Sequence, residues 1–329
     1  MVNEAKFWQD MPEVQQQLNQ INPIIQDNLA SVKGKLGEAL RYAFSASGKK
    51  LRPAFVLEFG QLQKPAKNDR LLKIATSVEV LHNATLIHDD IIDESPDRHG
   101  RESIQAKYGK QIAVYAGDFL FALSLRMLSN NTSKITNLRI NGSAIQNILA
   151  GETEQFGNEY NMQITKKEYL DQIRGKTAIL FGYSCFIGAL EGGFKRKVAN
   201  QAKKIGESVG MAFQLKDDIL DYTAESSVLN KPVLADVVNG VYTGPLIFAL
   251  EKDPDSKLHD LVKKGKDLTT ADLKEIDHWV KDKGGIQAAE KLATDYTNNA
   301  LELLEKNFKQ YPRYEVIKQI IDKLLARQY

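Results

Sequence analysis

The chain has 329 residues, 43% of them hydrophobic and 26% charged. That balance supports a large buried core and excludes disordered and collagen-like classes. The net charge is only +2, so no bulk field favours nucleic acid or an anionic membrane, and any anion site must come from local clustering. The single cysteine, Cys185, excludes an internal disulfide framework and fits a small core residue in a reducing compartment.

The first residues, MVNEAKFWQD, carry an early acid and no apolar h-region, which predicts no secretory signal and a cytoplasmic protein. Helical periodicity starts with Val14, Leu18, Ile21 and Ile25 on one face and persists to Val316, Ile317, Ile320, Ile321, Leu324 and Leu325. Alternating strand patterns are scarce. Short polar breaks at 63–69, 129–134, 191–195, 253–256, 283–285 and 311–313 read as turns between helices. The longest uncharged apolar stretch, Ala178 to Leu190, is too short to cross a bilayer and holds two glycines. With no long linker and no shift in composition, residues 1–329 are expected to form one large all-α domain.

Charge gathers at a few places along this chain. In SGKKLRP (47–53) Lys49, Lys50 and Arg52 follow a glycine. In LIHDDIIDESPDRHGR (86–101) Asp89 and Asp93 stand at i and i+4, on one helix face, with Asp90 beside them and Arg98 and Arg101 after them. GKTA presents Lys176 and Thr177, FQLKDDILDY repeats the spacing with Asp217, Asp218 and Asp221, and Lys231 follows. Like charges at this spacing weaken a helix by roughly 0.2–0.5 kcal/mol per pair, and the apolar neighbours Leu86, Ile87, Ile91 and Ile92 add a desolvation cost. A cation should compensate. Carboxylates without thiolate suit hard ions, above all Mg²⁺, which keeps water and completes its shell with substrate phosphates. A diphosphate ligand follows. One such motif matches by chance often enough to mean little; two, each ending an apolar helical run, carry weight.

Taken in order, GKKLRP, LHNATLIHDDIID, GDFLFA, GETEQ, KTA, FQLKDDILD and KPVLAD make the chain resemble the all-trans prenyl diphosphate synthases. GETEQFGNEYN and KTAILFGYSCFIGAL are most similar to the catalytic subunits of two-component hexaprenyl and heptaprenyl synthases. The resemblance implies an antiparallel helix bundle around a central cavity, the isoprenoid synthase fold. It implies a homodimer, or a heterodimer with a smaller partner that helps set product length. It assigns Asp89, Asp90, Asp93, Asp217, Asp218 and Asp221 to about three Mg²⁺ ions. Arg98, Lys176, Thr177, Gln214 and Lys231 go to the allylic diphosphate, and Lys49, Arg52 and His82 to isopentenyl diphosphate. His88 is either packing or support.

Two positions depart from the family pattern. His99 stands where a second arginine is usual, which weakens a fixed positive contact to isopentenyl diphosphate, and Val241 stands where many relatives carry lysine. Small residues one turn before Asp89, Ala84 and Thr85, leave room for a growing chain, while Phe119, Leu123 and Met127 at i, i+4 and i+8 could form a floor or simply pack the core. The expected product is about C20 to C40 by the same comparison of side-chain size. A terpene cyclase or head-to-head condensing enzyme would not need Lys49, Arg52 and His82. A noncatalytic partner subunit would have lost aspartates.

Overall fold

The computed structural model describes residues 7–45, 48–64, 68–98, 100–137, 139, 142–143, 145–146, 149, 159–223, 234–253 and 257–325. Among them the protein is all-α apart from one two-residue hairpin. Two compact units are built from interleaved stretches of chain: Met1–Ala144, Tyr183–Lys203 and Phe308–Ile317 form the first, and Ile145–Gly182, Lys204–Asn307 and Lys318–Tyr329 the second.

The first unit opens with α1 (Pro12–Leu18) and α2 (Ile21–Leu29). The apolar face expected to run through one helix is split by a turn at Asn19 and Gln20, yet Val14, Leu18, Ile21 and Ile25 are all buried. Helices α3 (Gly34–Ala43) and α4 (Leu51–Gly60) follow, then the long α5 (Asp69–Ile92). Helix α5 starts at Asn68, whose side chain accepts a hydrogen bond from the Leu71 amide at 3.1 Å, satisfying one of the donors a helix start leaves open. Strands β1 (Asp97–Arg98) and β2 (Arg101–Glu102) pair antiparallel, and α6 (Ile104–Tyr108) and α7 (Lys110–Asn131) come next.

Helix α7 lies along α5, with the Ser124 hydroxyl donating to the Ser77 carbonyl at 2.8 Å. It is long and apolar enough to cross a membrane, with mean hydropathy 1.4 in its most apolar window. The sequence reading passed over it because Asp118 and Arg126 interrupt the run. Its inner residues, among them Leu120, Leu123 and Leu128, are buried within the unit, which accounts for that composition as core packing.

The return segments close this unit around aromatic rings. Phe308 meets Phe59 and Phe194 edge-on at 5.6 and 5.9 Å. Arg313 reaches Glu58 through two hydrogen bonds of 2.8 Å and Glu13 through a third. Burial pushes the Glu58 carboxyl up despite this arginine, so removal of Arg313 would strand a charge. Arg70, Asn137 and the Ser133 amide likewise converge on buried Glu191.

The second unit begins with α8 (Lys166–Ile173), capped by a reciprocal Thr165–Glu168 pair. A π-turn (Arg174–Ala178) leads into α9 (Ile179–Glu191), which passes into the first unit at Tyr183, and α10 (Arg196–Thr223) returns to the second at Lys204. Beyond it are α11 (Ala235–Val238), α12 (Gly244–Lys252), α13 (Lys257–Val262), α14 (Thr270–Asp282), α15 (Gly285–Phe308) and α16 (Tyr314–Leu325). Tyr169, Met211, Leu215, Ile219, Tyr222, Leu246 and Phe248 are central to this unit's apolar core. The breaks at 191–195, 283–285 and 311–313 fall between two helices and that at 129–134 begins at the end of α7, while 65–67 and 254–256, within the other two, lie outside the described residues. Cys185 is a fully buried free thiol, its pKa raised by burial, as its small apolar role requires.

Candidate active site

In the first unit α5 carries its aspartates at its C-terminal end, where unsatisfied carbonyls already concentrate negative charge. Asp90 turns inward and is 4% exposed, Asp89 is half-buried and Asp93 is exposed. The three therefore do not act as one outward cluster. Arg98 Nη1 donates to Asp90 Oδ1 at 3.3 Å. Burial pushes Asp90 up to about 6, opposed by Arg98 and reinforced by the charges of Asp89 and Asp93. The hairpin explains how Arg98 returns: β1 folds back on β2 with Gly100 at φ 75°, a left-handed geometry that glycine adopts without strain.

His88 points sideways. Its ring lies over Gly117, where a Cβ would come within 2.2 Å of Nε2, 5.3 Å from the Phe121 ring and 3.5 Å from Asp118 Oδ1. That contact explains GDFLFA: glycine makes room and aspartate pairs with the imidazole.

The basic loop before α4 places Lys49 half-buried and Lys50 almost fully buried. One residue into the helix, Arg52 Nη1 lies 3.0 Å from His82 Nε2. A guanidinium has only donors, so His82 accepts here through Nε2 and carries its proton on Nδ1. Two residues 30 positions apart, both assigned to isopentenyl diphosphate by the family resemblance, are thus in direct contact.

In the second unit the acidic end of α10 is held by a chain of neutral groups. Thr177 Oγ1 donates to Gln214 Oε1 at 2.7 Å, Gln214 Nε2 donates to Asp218 Oδ1 at 2.8 Å, and Tyr169 Oη donates to Asp218 Oδ2 at 2.5 Å. Asp218 is 5% exposed, while Asp217 and Asp221 are half-buried. Burial pushes Asp218 up to about 7, against the bonds from Tyr169 and Gln214 and with help from the charges of Asp236 and Asp217. Thr177 and Gln214, expected to touch a diphosphate, are engaged with one another. Lys176, next along the π-turn, is exposed. Gly210 permits the close approach of α10 to this turn, since a Cβ there would sit 2.5 Å from Ala178 Cα. π-turns gather at functional sites.

Asp236 was missed by the sequence reading. Its charge acts on both Asp218 and Tyr222, and the signal was available as the last residue of KPVLAD. His99, Lys231 and the GETEQ segment (151–155) lie outside the described residues. Ala84, Thr85, Leu123 and Met127 are buried and Phe119 is half-buried; Met127 also lines a cavity of about 490 Å³ with Ile24, Asn28, Lys73, Arg126, Asn130 and Asn131. Val241 is 48% exposed.

Among the described residues no three acidic, histidine or cysteine side chains form a closed metal cage. Oxygen-only donors carried in pairs at open helix ends nevertheless fit Mg²⁺, which takes few carboxylates and completes its shell from water and phosphate.

The profile of the family described as polyprenyl synthetase matches residues 33–278. The chain belongs to that family. Among its relatives, heptaprenyl diphosphate synthase component 2 of Geobacillus stearothermophilus is 34% identical over 275 residues, covering 83% of this chain and 84% of that protein. The crystal structure of geranylgeranyl pyrophosphate synthase from Lactobacillus brevis matches with a TM-score of 0.88 at 35% identity, over 98% of this chain and all of that one. Heptaprenyl diphosphate synthase from Staphylococcus aureus matches with a TM-score of 0.87 at 28% identity, over 96% and 99%. This polyprenyl synthetase therefore has the all-α isoprenoid synthase fold, and it is a prenyltransferase.

Proposed function

We propose that this polyprenyl synthetase condenses isopentenyl diphosphate with an allylic prenyl diphosphate to give a medium- to long-chain all-trans product, in the range of about C20 to C40 given the small side chains at Ala84 and Thr85. One observation carries the reading. In each unit an acidic helix C-terminus buries one carboxylate on protein donors, Asp90 or Asp218, beside an i, i+4 pair that is less buried, Asp89 with Asp93 and Asp217 with Asp221.

By the family resemblance each pair would hold Mg²⁺, with Asp236 acting beside the second, and the ions would supply charge stabilisation to a leaving diphosphate. Asp90 and Asp218 orient these ends rather than ligate. Arg98 and Lys176 add fixed positive charge where negative charge develops as the allylic C–O bond breaks. Thr177 and Gln214 set the turn that carries Lys176. Lys49, Arg52 and His82 hold isopentenyl diphosphate, whose double bond attacks the allylic cation to form the new C–C bond. The proton lost from the adjacent carbon goes to an oxygen of the released diphosphate, so no side-chain base is consumed. Apolar residues below the charged ends keep out the water that would quench the cation.

Purified protein incubated with Mg²⁺, isopentenyl diphosphate and farnesyl diphosphate should release prenyl products longer than the primer. No extension of any allylic primer, alone or with candidate small subunits, overturns the proposal. The likeness to a heptaprenyl synthase component 2 supports a heterodimer as a second reading beside a homodimer. An added small subunit that changes product length would decide for it. Ala84→Phe should shorten the product by one or more isoprene units; an unchanged product removes α5 from length control.

A further inference from the structure

The isopentenyl diphosphate assignment rests on a loop whose geometry is fixed from outside the family's motifs. Trp8 is fully buried, and its indole Nε1 donates to the Lys49 carbonyl at 2.9 Å, across 41 positions of sequence. Its neighbour Phe7 meets the indole edge-on at 4.7 Å and lies under the Lys49 ammonium, 5.6 Å from Nζ. The next residue, Lys50, is left-handed at φ 49° and ψ 42°. A side chain with a Cβ resists that conformation, and it persists where the surroundings enforce it. The Lys50 carbonyl then accepts the first hydrogen bond of α4, from Ala54 at 3.0 Å, and Arg52 leaves that first turn to meet His82.

The order of constraints is therefore indole, Lys49 carbonyl, strained Lys50, helix start, guanidinium. We propose that Phe7 and Trp8 are positioning residues for the isopentenyl diphosphate subsite: the indole N–H fixes the loop, and the Phe7 ring steers the Lys49 ammonium. The inference builds on the function proposed above and adds to it a dependence of one substrate, and not the other, on the N-terminal segment. A buried tryptophan that merely packed the core would affect both substrates alike through stability.

Trp8→Phe keeps an aromatic ring and deletes the N–H. In steady-state assays of the full chain it should raise KM for isopentenyl diphosphate roughly tenfold, the scale of one lost buried hydrogen bond, with kcat and KM for the allylic primer unchanged. Equal change in both KM values, a fall in kcat alone, or no change overturns the proposal. Arg52→Ala separates this from failure of the parent reading. If Arg52→Ala leaves KM for isopentenyl diphosphate unaltered, the subsite itself is misassigned; if it raises KM and Trp8→Phe does not, the positioning role alone fails. The chain has 2 tryptophans, and Trp279 is only partly buried, so a Trp279→Phe variant leaves Trp8 as the sole indole reporter without touching the loop. Titrating that folded variant with isopentenyl diphosphate in EDTA should shift Trp8 emission saturably. Saturable binding by calorimetry with flat emission overturns the proposal even if Trp8→Phe fails to fold.

Discussion

The two acidic helix ends solve one electrostatic problem by different means. At α5 the inward Asp90 is met by a cation, Arg98, returned by a hairpin. At α10 the inward Asp218 is met by the neutral donors Tyr169 and Gln214, and its carboxyl rises further, to about 7 against about 6. Burial is the first cause of both shifts; what differs is the partner opposing it, a guanidinium at Asp90 and two neutral donors at Asp218.

The largest effects should erase the comparison altogether. Asp89→Ala and Asp217→Ala are each expected to lower kcat by roughly a thousandfold or more, the scale of removing charge stabilisation at a leaving group, with helical circular dichroism unchanged. Wild-type turnover in either variant would remove the metal assignment from that helix. Next, Asp90→Asn and Asp218→Asn should differ from those and from each other. An asparagine at 218 can still accept from Gln214 and pair with Tyr169, so kcat should fall only about tenfold. An asparagine at 90 removes the counter-charge of Arg98 and should fall further. Equal thousandfold losses in both would make the inward carboxylates direct ligands.

Tyr169→Phe sharpens the second end alone. Loss of one hydroxyl beside a buried carboxyl should lower stability by about 1–3 kcal/mol and raise the Mg²⁺ concentration needed for half-maximal binding of a nonreactive diphosphate analogue, measured by calorimetry. Unchanged metal dependence would reduce Tyr169 to packing. The smallest effect is on pH. The Asp218 carboxyl stays protonated in the folded chain up to about pH 7 but ionises from its usual 3.8 once unfolded, so folding takes up a proton in that interval and stability falls as pH climbs through it. Melting curves in EDTA should drop by a few degrees from pH 5 to pH 8, and Asp218→Asn should flatten the slope. A wild-type slope in that variant would locate the titration elsewhere.

Much of this was legible from residue pattern. Helices, most of their breaks and both aspartate motifs follow from periodicity and local charge, whereas Arg52 and His82 were grouped only by the family resemblance and their contact was not foreseen. Orientation was not. Asp90 stands about 100° around the helix from Asp89, and which of them faces the core depends on what packs there, which spacing does not encode. The π-turn escaped for a related reason: a wider hydrogen-bond register has no composition of its own. Trp8 and Asp236 were passed over because each acts on a motif from outside it, one from 41 residues away and the other from the end of a segment read for its lysine.

The π-turn also bears on how this chain can change by insertion or deletion. It holds one more residue than an α-turn would, and both Tyr169 before it and Thr177 within it grip the same helix through Asp218 and Gln214. Excising Gly175 would convert the turn to ordinary α geometry and swing α8 by about 100°, so the two grips could no longer coexist. A frame-preserving loss of one small residue would thus break the joint hold on Asp218 and Gln214 without removing any of the side chains that make it.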